Sequence, residues 1–189
     1  MSTNIILCGV GGQGTILASK LIASAAMARD VAVKTAETIG MAQRGGSVFS
    51  HVRLGEDAAC PLMARGSADL ILAFEPAEAV RQLPFLKPGG CVVTSTRPVV
   101  PVSAMTGGPA YDYEGIMEYL KAKVSNLVLV DSDRAAAELG SAKCLNVVLL
   151  GAAVRAGELG LSEEDILTAL HERLPEKLWE LNERALAWA

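Results

Sequence analysis

Aromatic side chains are scarce, with Phe, Tyr and Trp making up 4% of the 189 residues. This removes the stacking platform on which proteins hold unpaired bases. Positive charge is also short: 17 Lys and Arg stand against 21 Asp and Glu, for a net charge of −4. A nucleic-acid surface needs clustered cations to displace counterions from phosphate, so no nucleic-acid partner is expected. Histidine occurs only at His51 and His171, the latter in a charged helical stretch where a solvated role is expected. No acid–base set for hydride transfer is evident, and no catalytic residue is assigned to this chain. Cys8, Cys60, Cys91 and Cys144 form no C-x-x-C pair. Neither a local iron–sulfur cluster nor another metal site is expected, and the thiols are read as reduced, in or near the core, with Cys60 in a loop. The apolar run from Val147 stops at Val154, before Arg155. A bilayer helix needs roughly 20 such residues, so no membrane span is expected. The start, MSTNIILCGV, lacks the basic stretch of a secretory signal, and a cytoplasmic location is the default.

What is present is an alternation of apolar runs and helical stretches. Asn4 to Cys8 is a short β-rich run ending at glycine, and Gln13 to Met27 is an Ala- and Leu-rich helix. Val31 to Ala36 is the next strand and completes a βαβ unit. From Ser47 to Leu54, Phe49, His51 and Arg53 alternate with Val48, Ser50 and Val52; the polar members predict a half-exposed or partner-facing strand. Ala68 to Phe74 and Gly90 to Ser95 are strands. Between them lies a helix over Glu75 to Leu86, opened by Pro76 and closed by Lys87-Pro88-Gly89-Gly90. Tyr113 to Lys123 is helical and Leu127 to Val130 extended. Arg97 to Pro109 is an irregular surface loop. From Ser132 onward the pattern is helical, with a cap at Ser162 for a helix over Glu163 to Leu174 and a last helix opened by Pro175. The expectation is one domain over residues 1–189, of α/β class. It is a three-layer Rossmann-like domain with a largely parallel sheet and C-terminal helices. Hydrophobic residues reach 51% of the chain, and part of that apolar surface is expected to face another subunit.

The stretch LCGVGGQGT, Leu7 to Thr15, sets Gly9, Gly11 and Gly14 in the spacing G-x-G-x-x-G, with Gly12 as a further flexible position. Glycine there permits a tight turn, lets an anion approach the backbone and brings helix close to strand. The following helix aims N–H groups and its positive dipole end at the turn. Gly9, Gly11, Gly12, Gln13, Gly14 and Thr15 are therefore the candidate cofactor-binding set. An anion site and a purely structural turn both satisfy the spacing. A dinucleotide site would add an acid at the end of the second strand, where Glu37 stands. Glu37 is followed directly by TIGMAQRGG, a loop that the nucleotide fold does not need. A stand-alone NAD-dependent oxidoreductase and an adenylating activator of ubiquitin-like or sulfur-carrier proteins are the rival readings.

GVGGQG combined with ETIGMAQRGGSVFSHVR, Glu37 to Arg53, closely resembles the gamma-type subunit of the 2-oxoacid:ferredoxin oxidoreductases. Within that family, GMAQRGG in a short free-standing chain is most similar to the indolepyruvate ferredoxin oxidoreductase branch, whose small subunit is termed beta. The pyruvate and 2-oxoglutarate branches are the alternatives. The likeness runs over essentially the whole chain, to Asn182 and Ala185 in LNERALAWA. It implies a subunit with no redox centre, inactive without its partner. Thiamine diphosphate and iron–sulfur clusters would reside in a larger alpha subunit, where cofactors carry the carbanion and electron chemistry. The complex would convert an arylpyruvate, coenzyme A and oxidised ferredoxin into an arylacetyl coenzyme A, carbon dioxide and reduced ferredoxin. In the matched loop, Arg44 offers a planar fork for an oxyanion, Gln43 donates and accepts, and Met41 supplies an adaptable apolar contact. Gly45 and Gly46 allow close passage of another surface. Glu37, Met41, Gln43, Arg44, Gly45 and Gly46 are thus the candidates for an active-site edge or partner interface.

Overall fold

Period-two alternation decides how the central strands face. In β1 (Thr3–Val10), Ile5 and Leu7 turn to one side of the sheet, Ile6 and Cys8 to the other. β4 (Ala68–Ala73) likewise divides Leu70 and Leu72 from Ile71 and Ala73, and β5 (Leu86–Ser95) divides Cys91 and Val93 from Val92. Strands apolar on both faces need helices on both. The first core takes buried residues from α1 (Thr15–Met27), α5 (Ser132–Leu139), α6 (Leu145–Arg155), α7 (Glu163–Arg173) and α8 (Trp179–Trp188). α2 (Pro76–Gln82) and α4 (Tyr113–Lys123) supply the second. Gly151 fits α6 against α8: a Cβ there would lie 2.1 Å from the Leu186 carbonyl oxygen.

The structure, a computed structural model, describes residues 2–37, 45–56 and 60–188. With β2 (Val33–Glu37), β3 (Ser47–Leu54) and β6 (Asn126–Val130), the sheet order is β2-β3-β1-β4-β5-β6. β1, β4, β5 and β6 are parallel, whereas β3 runs antiparallel to both its neighbours. The three-layer α/β architecture with a mostly parallel sheet is as expected. No helix among the described residues is long and apolar enough to cross a membrane.

Several local expectations are corrected. β3 is an interior strand, paired on both edges, and its faces are covered, with Ser50 2% and His51 4% exposed. The His51 ring packs edge-on between Phe49 and Phe85, each at 5.6 Å. α1 begins at Thr15, since Gly14 is a left-handed cap residue (φ 87°). α2 stops at Gln82, followed by one 3₁₀ turn. Lys87 to Gly90 then belong to β5 instead of closing the helix, and the β4–β5 register shifts between Ala68 and Leu70. A short helix, α3 (Val102–Met105), lies within the segment read as a loop. The cap at Ser162 is as expected, Ser162 and Asp165 forming a reciprocal capping box at α7. A 3₁₀ turn follows Pro175, and the last helix starts at Trp179. Cys8, Cys91 and Cys144 are buried, but Cys60 is exposed. His171 is not merely solvated: Nε2 lies 2.6 Å from Glu183 Oε1, and the ring packs on Trp179 at 4.3 Å.

Candidate functional site at the carboxyl edge of the sheet

Parallel strands deliver their carboxyl ends, and the turns that follow, to one edge of the sheet. β1 ends in the glycine turn. Gly12 has φ 104°, a conformation that side chains rarely adopt. Gly9 serves close approach, since a Cβ would meet Gln13 Oε1 at 2.7 Å and Phe74 Cβ at 3.0 Å. The Gln13 amide is turned inward: Oε1 accepts from the Val10 amide at 2.7 Å, and Nε2 donates to the Phe74 carbonyl at 2.9 Å. It thereby ties the end of β1 to the end of β4. Gly14 supplies no side-chain cap to α1, and Thr15 is buried.

The same turn is bonded to the second motif. Gly11 N–H donates to Gly46 O at 2.8 Å, and Gly45 N–H donates to Gly11 O at 3.2 Å. The structure therefore brings Gly45 and Gly46 to the glycine turn. Glu37 lies elsewhere, accepting from Ser19 Oγ of α1 at 2.9 Å. In a dinucleotide fold the acid-bearing second strand neighbours β1. Here β3 intervenes, setting Glu37 two strand spacings, about 10 Å, aside. Met41, Gln43 and Arg44 lie outside the described residues.

Besides a small hollow of about 330 Å³, lined by Gly11, Gly12, Gly14 and Thr15 against Val48, Phe49 and Ser50 of β3, two larger clefts open around this turn. The first, about 540 Å³, runs between the glycine turn, the ends of β5 and β6, and the start of α6. Arg97 and Lys143 bring positive charge, and Ser95, Ser132 and Asn146 bring polar groups. Ser95 Oγ lies 2.8 Å from Ser132 Oγ and accepts the Arg97 amide at 2.9 Å. Arg97 Nε is 3.5 Å from Asp133 in a half-exposed pair. Lys143 is exposed, with no ion pair among the described residues. Cys144 gives α6 no side-chain cap. The start of α6 thus lines the cleft without a capping side chain, a disposition that suits an anion, whereas Gly14 and Thr15 at the start of α1 line the smaller hollow.

The second cleft, about 710 Å³, lies between the start of β3, α2 and the segment ahead of α4. Its floor is acidic. Glu75 caps α2, accepting the Glu78 amide at 3.0 Å, and also accepts the Tyr111 hydroxyl. Glu78 accepts Ser47 Oγ and pairs with Arg81 at 3.2 Å. Burial raises the Glu78 carboxyl above the usual range, against the opposing pull of Ser47 and Arg81. Burial, then Glu75, raises the Tyr111 phenol; burial, then Glu78 and Glu75, raises the Cys8 thiol. A third hollow of about 640 Å³ beside β6 has its cations already engaged, Arg134 with Glu138 and Arg155 with Glu163.

Sequence reasoning did not single out Ser95, Arg97, Ser132, Lys143 and Asn146, nor Glu75, Glu78 and Tyr111. The available signal was position: Ser95 to Arg97 and Ser132 directly follow predicted parallel strands, where ligands gather. Among the described residues no three His, Cys, Asp or Glu side chains are grouped to hold a metal. The cysteines are scattered, which does not fit a cluster carried by this chain.

The sequence profile of the family described as Pyruvate ferredoxin/flavodoxin oxidoreductase matches residues 4–189. The chain belongs to this family. Indolepyruvate oxidoreductase subunit IorB of Archaeoglobus fulgidus is 39% identical over 187 residues, 98% of this chain and 92% of the relative. The pyruvate/ketoisovalerate oxidoreductases common subunit gamma of Thermococcus kodakarensis is 27% identical over 179 residues, 94% and 89% of the two chains. The keto/oxoacid ferredoxin oxidoreductase gamma subunit of Geobacter sulfurreducens superposes with a TM-score of 0.70 at 25% identity, covering 97% of this chain and 94% of that one. The chain is accordingly similar to subunits of 2-oxoacid:ferredoxin oxidoreductases, including those of the indolepyruvate type.

Proposed function

We propose that this chain is the subunit without redox centres of a thiamine-diphosphate-dependent indolepyruvate:ferredoxin oxidoreductase, and that its cationic cleft receives the phosphates of coenzyme A. The indolepyruvate reading rests on the higher identity to IorB, 39% against 27% for the pyruvate/ketoisovalerate subunit. In the overall reaction the 2-oxoacid loses carbon dioxide, its acyl carbon joins the coenzyme A sulfur, and the released electrons pass to ferredoxin. The larger partner's thiamine diphosphate and iron–sulfur clusters supply that carbanion and electron chemistry. This chain, as one 189-residue unit, orients the co-substrate and completes the edge of the site.

The observation that carries the assignment is the meeting of Arg97, Lys143 and the start of α6, which has no side-chain cap, at one cleft beside Gly12 and Gln13 of the turn. Coenzyme A is the anionic participant in the reaction large enough to need such a cleft. Gly12 and Gln13 line it, Gly14 and Thr15 open α1 beside it, and Gly9, Gly11 and Gln13 hold the turn in shape. Gly45 and Gly46, with Met41, Gln43 and Arg44 before them in sequence and Glu37 at the end of β2, meet the larger subunit or the active-site edge.

The test compares coenzyme A with its 3′-dephospho form in the assembled enzyme. Arg97→Ala and Lys143→Ala should raise the KM for coenzyme A and shrink its advantage over the dephospho form. Unchanged KM values for both ligands in both variants would remove coenzyme A from this cleft. The isolated chain, given arylpyruvate, coenzyme A, thiamine diphosphate and an artificial acceptor, should show no turnover. Arg44→Lys should weaken a bidentate oxyanion contact by roughly 1–3 kcal/mol. The loss would be read as a raised KM for a ligand contact, or as reduced co-purification for a partner contact.

A further inference from the structure

We infer that Glu75 is a positioning residue that holds Arg97 at the cationic cleft by fastening both legs of the strap between β5 and α4. The inference rests on the reading that this cleft takes the phosphates of coenzyme A.

Glu75 is 1% exposed, and its carboxylate is shared among three segments. Oε2 accepts the Glu78 amide and starts α2. Oε1 accepts the Val99 amide at 3.4 Å, two residues beyond Arg97, and also the Tyr111 hydroxyl. Tyr111 immediately precedes Asp112, the residue that caps α4. One buried oxygen therefore gathers the outgoing and returning legs of the strap.

The strap needs such an anchor. From Pro98 to Ala110 it has no charged residue, and Pro98, Pro101, Gly107, Gly108 and Pro109 oppose continuous secondary structure. Val100 and Met105 are 43% and 67% exposed. Val99 lines both clefts, so the strap is the wall between them. Arg97 is held from behind by the hydrogen bond its amide donates to Ser95 Oγ, and from ahead by the one the Val99 amide donates to Glu75. A carboxylate suits this task because it only accepts, whereas each of its three partners donates. Glutamine would set an NH₂ group against one of those donors.

The experiment uses the enzyme assembled with its larger subunit and measures KM for coenzyme A, KM for the 2-oxoacid, kcat and the thermal midpoint. Arg97→Ala should raise the KM for coenzyme A about tenfold, the scale of one charge-assisted contact. Tyr111→Phe removes one donor and leaves the α2 cap intact. It should raise the same KM about threefold, with KM for the 2-oxoacid and kcat near wild type. Glu75→Gln should do so more strongly, and Glu75→Gln combined with Arg97→Ala should be no worse in KM than Arg97→Ala alone. If Arg97→Ala raises the KM while Tyr111→Phe and Glu75→Gln do not, or if the double variant is additive, the positioning role is overturned and the cleft reading stands. If Arg97→Ala itself leaves the KM unchanged, the cleft reading falls and takes the inference with it. Should Glu75→Gln fail to fold, Tyr111→Phe alone decides.

Discussion

The two clefts share Val99 as a wall and hold opposite charges in opposite ways. On one side, the Arg97 side chain is about half exposed and Lys143 is an exposed residue of the cleft lining. On the other, Glu75 and Glu78 are 1% and 6% exposed and are met by Tyr111, Val99, Ser47 and Arg81. Among the described residues no buried side-chain nitrogen or oxygen lacks a partner. A buried charge must be satisfied by its own chain, because desolvation is costly. A half-exposed cation keeps most of its hydration and can meet an incoming anion. The acidic cleft is therefore closed on itself by its own chain, whereas the basic one leaves its cations open to solvent.

The largest expected effect lies at the turn bordering the basic cleft. Gly14→Val places a side chain at φ 87° with Asn146 Nδ2 only 2.6 Å from the new Cβ. Backbone strain of about 2 kcal/mol and overpacking of about 2 kcal/mol should both appear as lost stability in urea unfolding. Gly12→Val, at φ 104° with no atom within 4 Å of the Cβ, should lose only the strain, about 2 kcal/mol. Equal losses would show that the Asn146 contact does not shape the cleft.

Titration gives an intermediate effect confined to the α2–α4 side of the sheet. Glu78 is raised by burial, so its contribution is fully present below its unfolded value of 4.5 and is lost as pH rises through the higher folded value. Glu78→Gln should therefore gain on wild type across that rise. His51 is lowered by burial, so its contribution is present above 6.5 and is lost as pH falls below that value. His51→Gln should flatten the acid limb. Urea midpoints followed against pH measure both, and parallel curves for wild type and either variant would count against that group.

The smallest stability effect belongs to the basic cleft. Arg97→Ala and Lys143→Ala should each stay within about 0.5 kcal/mol of wild type in urea, as exposed substitutions do. Their signature is instead a weaker rise in the KM for coenzyme A with added salt, because screened attraction has been removed. A large stability loss would place Arg97 or Lys143 in the same structural class as Glu75.

The glycine turn was legible because its determinants are neighbours in sequence: an apolar run, φ-permissive glycines and an apolar helix within 27 residues. The caps at Ser162 and the proline start of α2 were legible for the same reason. Gln13 shows where such reading stops. Its residue type suggests a ligand contact, yet its amide is occupied by Val10 and by Phe74, 61 residues away. The polar members of β3 suggested exposure, yet β3 is interior to the sheet and distant side chains cover it, Phe85 packing on the His51 ring.

By itself, then, the sequence determined the alternating strands, the first strand–turn–helix, the helix caps and the family, because these depend on residue order and on contacts a few positions apart. Tertiary structure alone decided that β3 enters between β1 and β2 and so moves Glu37 away from the turn. It also decided that Ser95, Arg97, Ser132, Lys143 and Asn146 share one cleft, and that Glu75 joins Val99 to Tyr111. Those outcomes depend on strand order and on burying two sheet faces at once. They are set by which distant segments remove apolar surface from water together, and no local spacing records that choice.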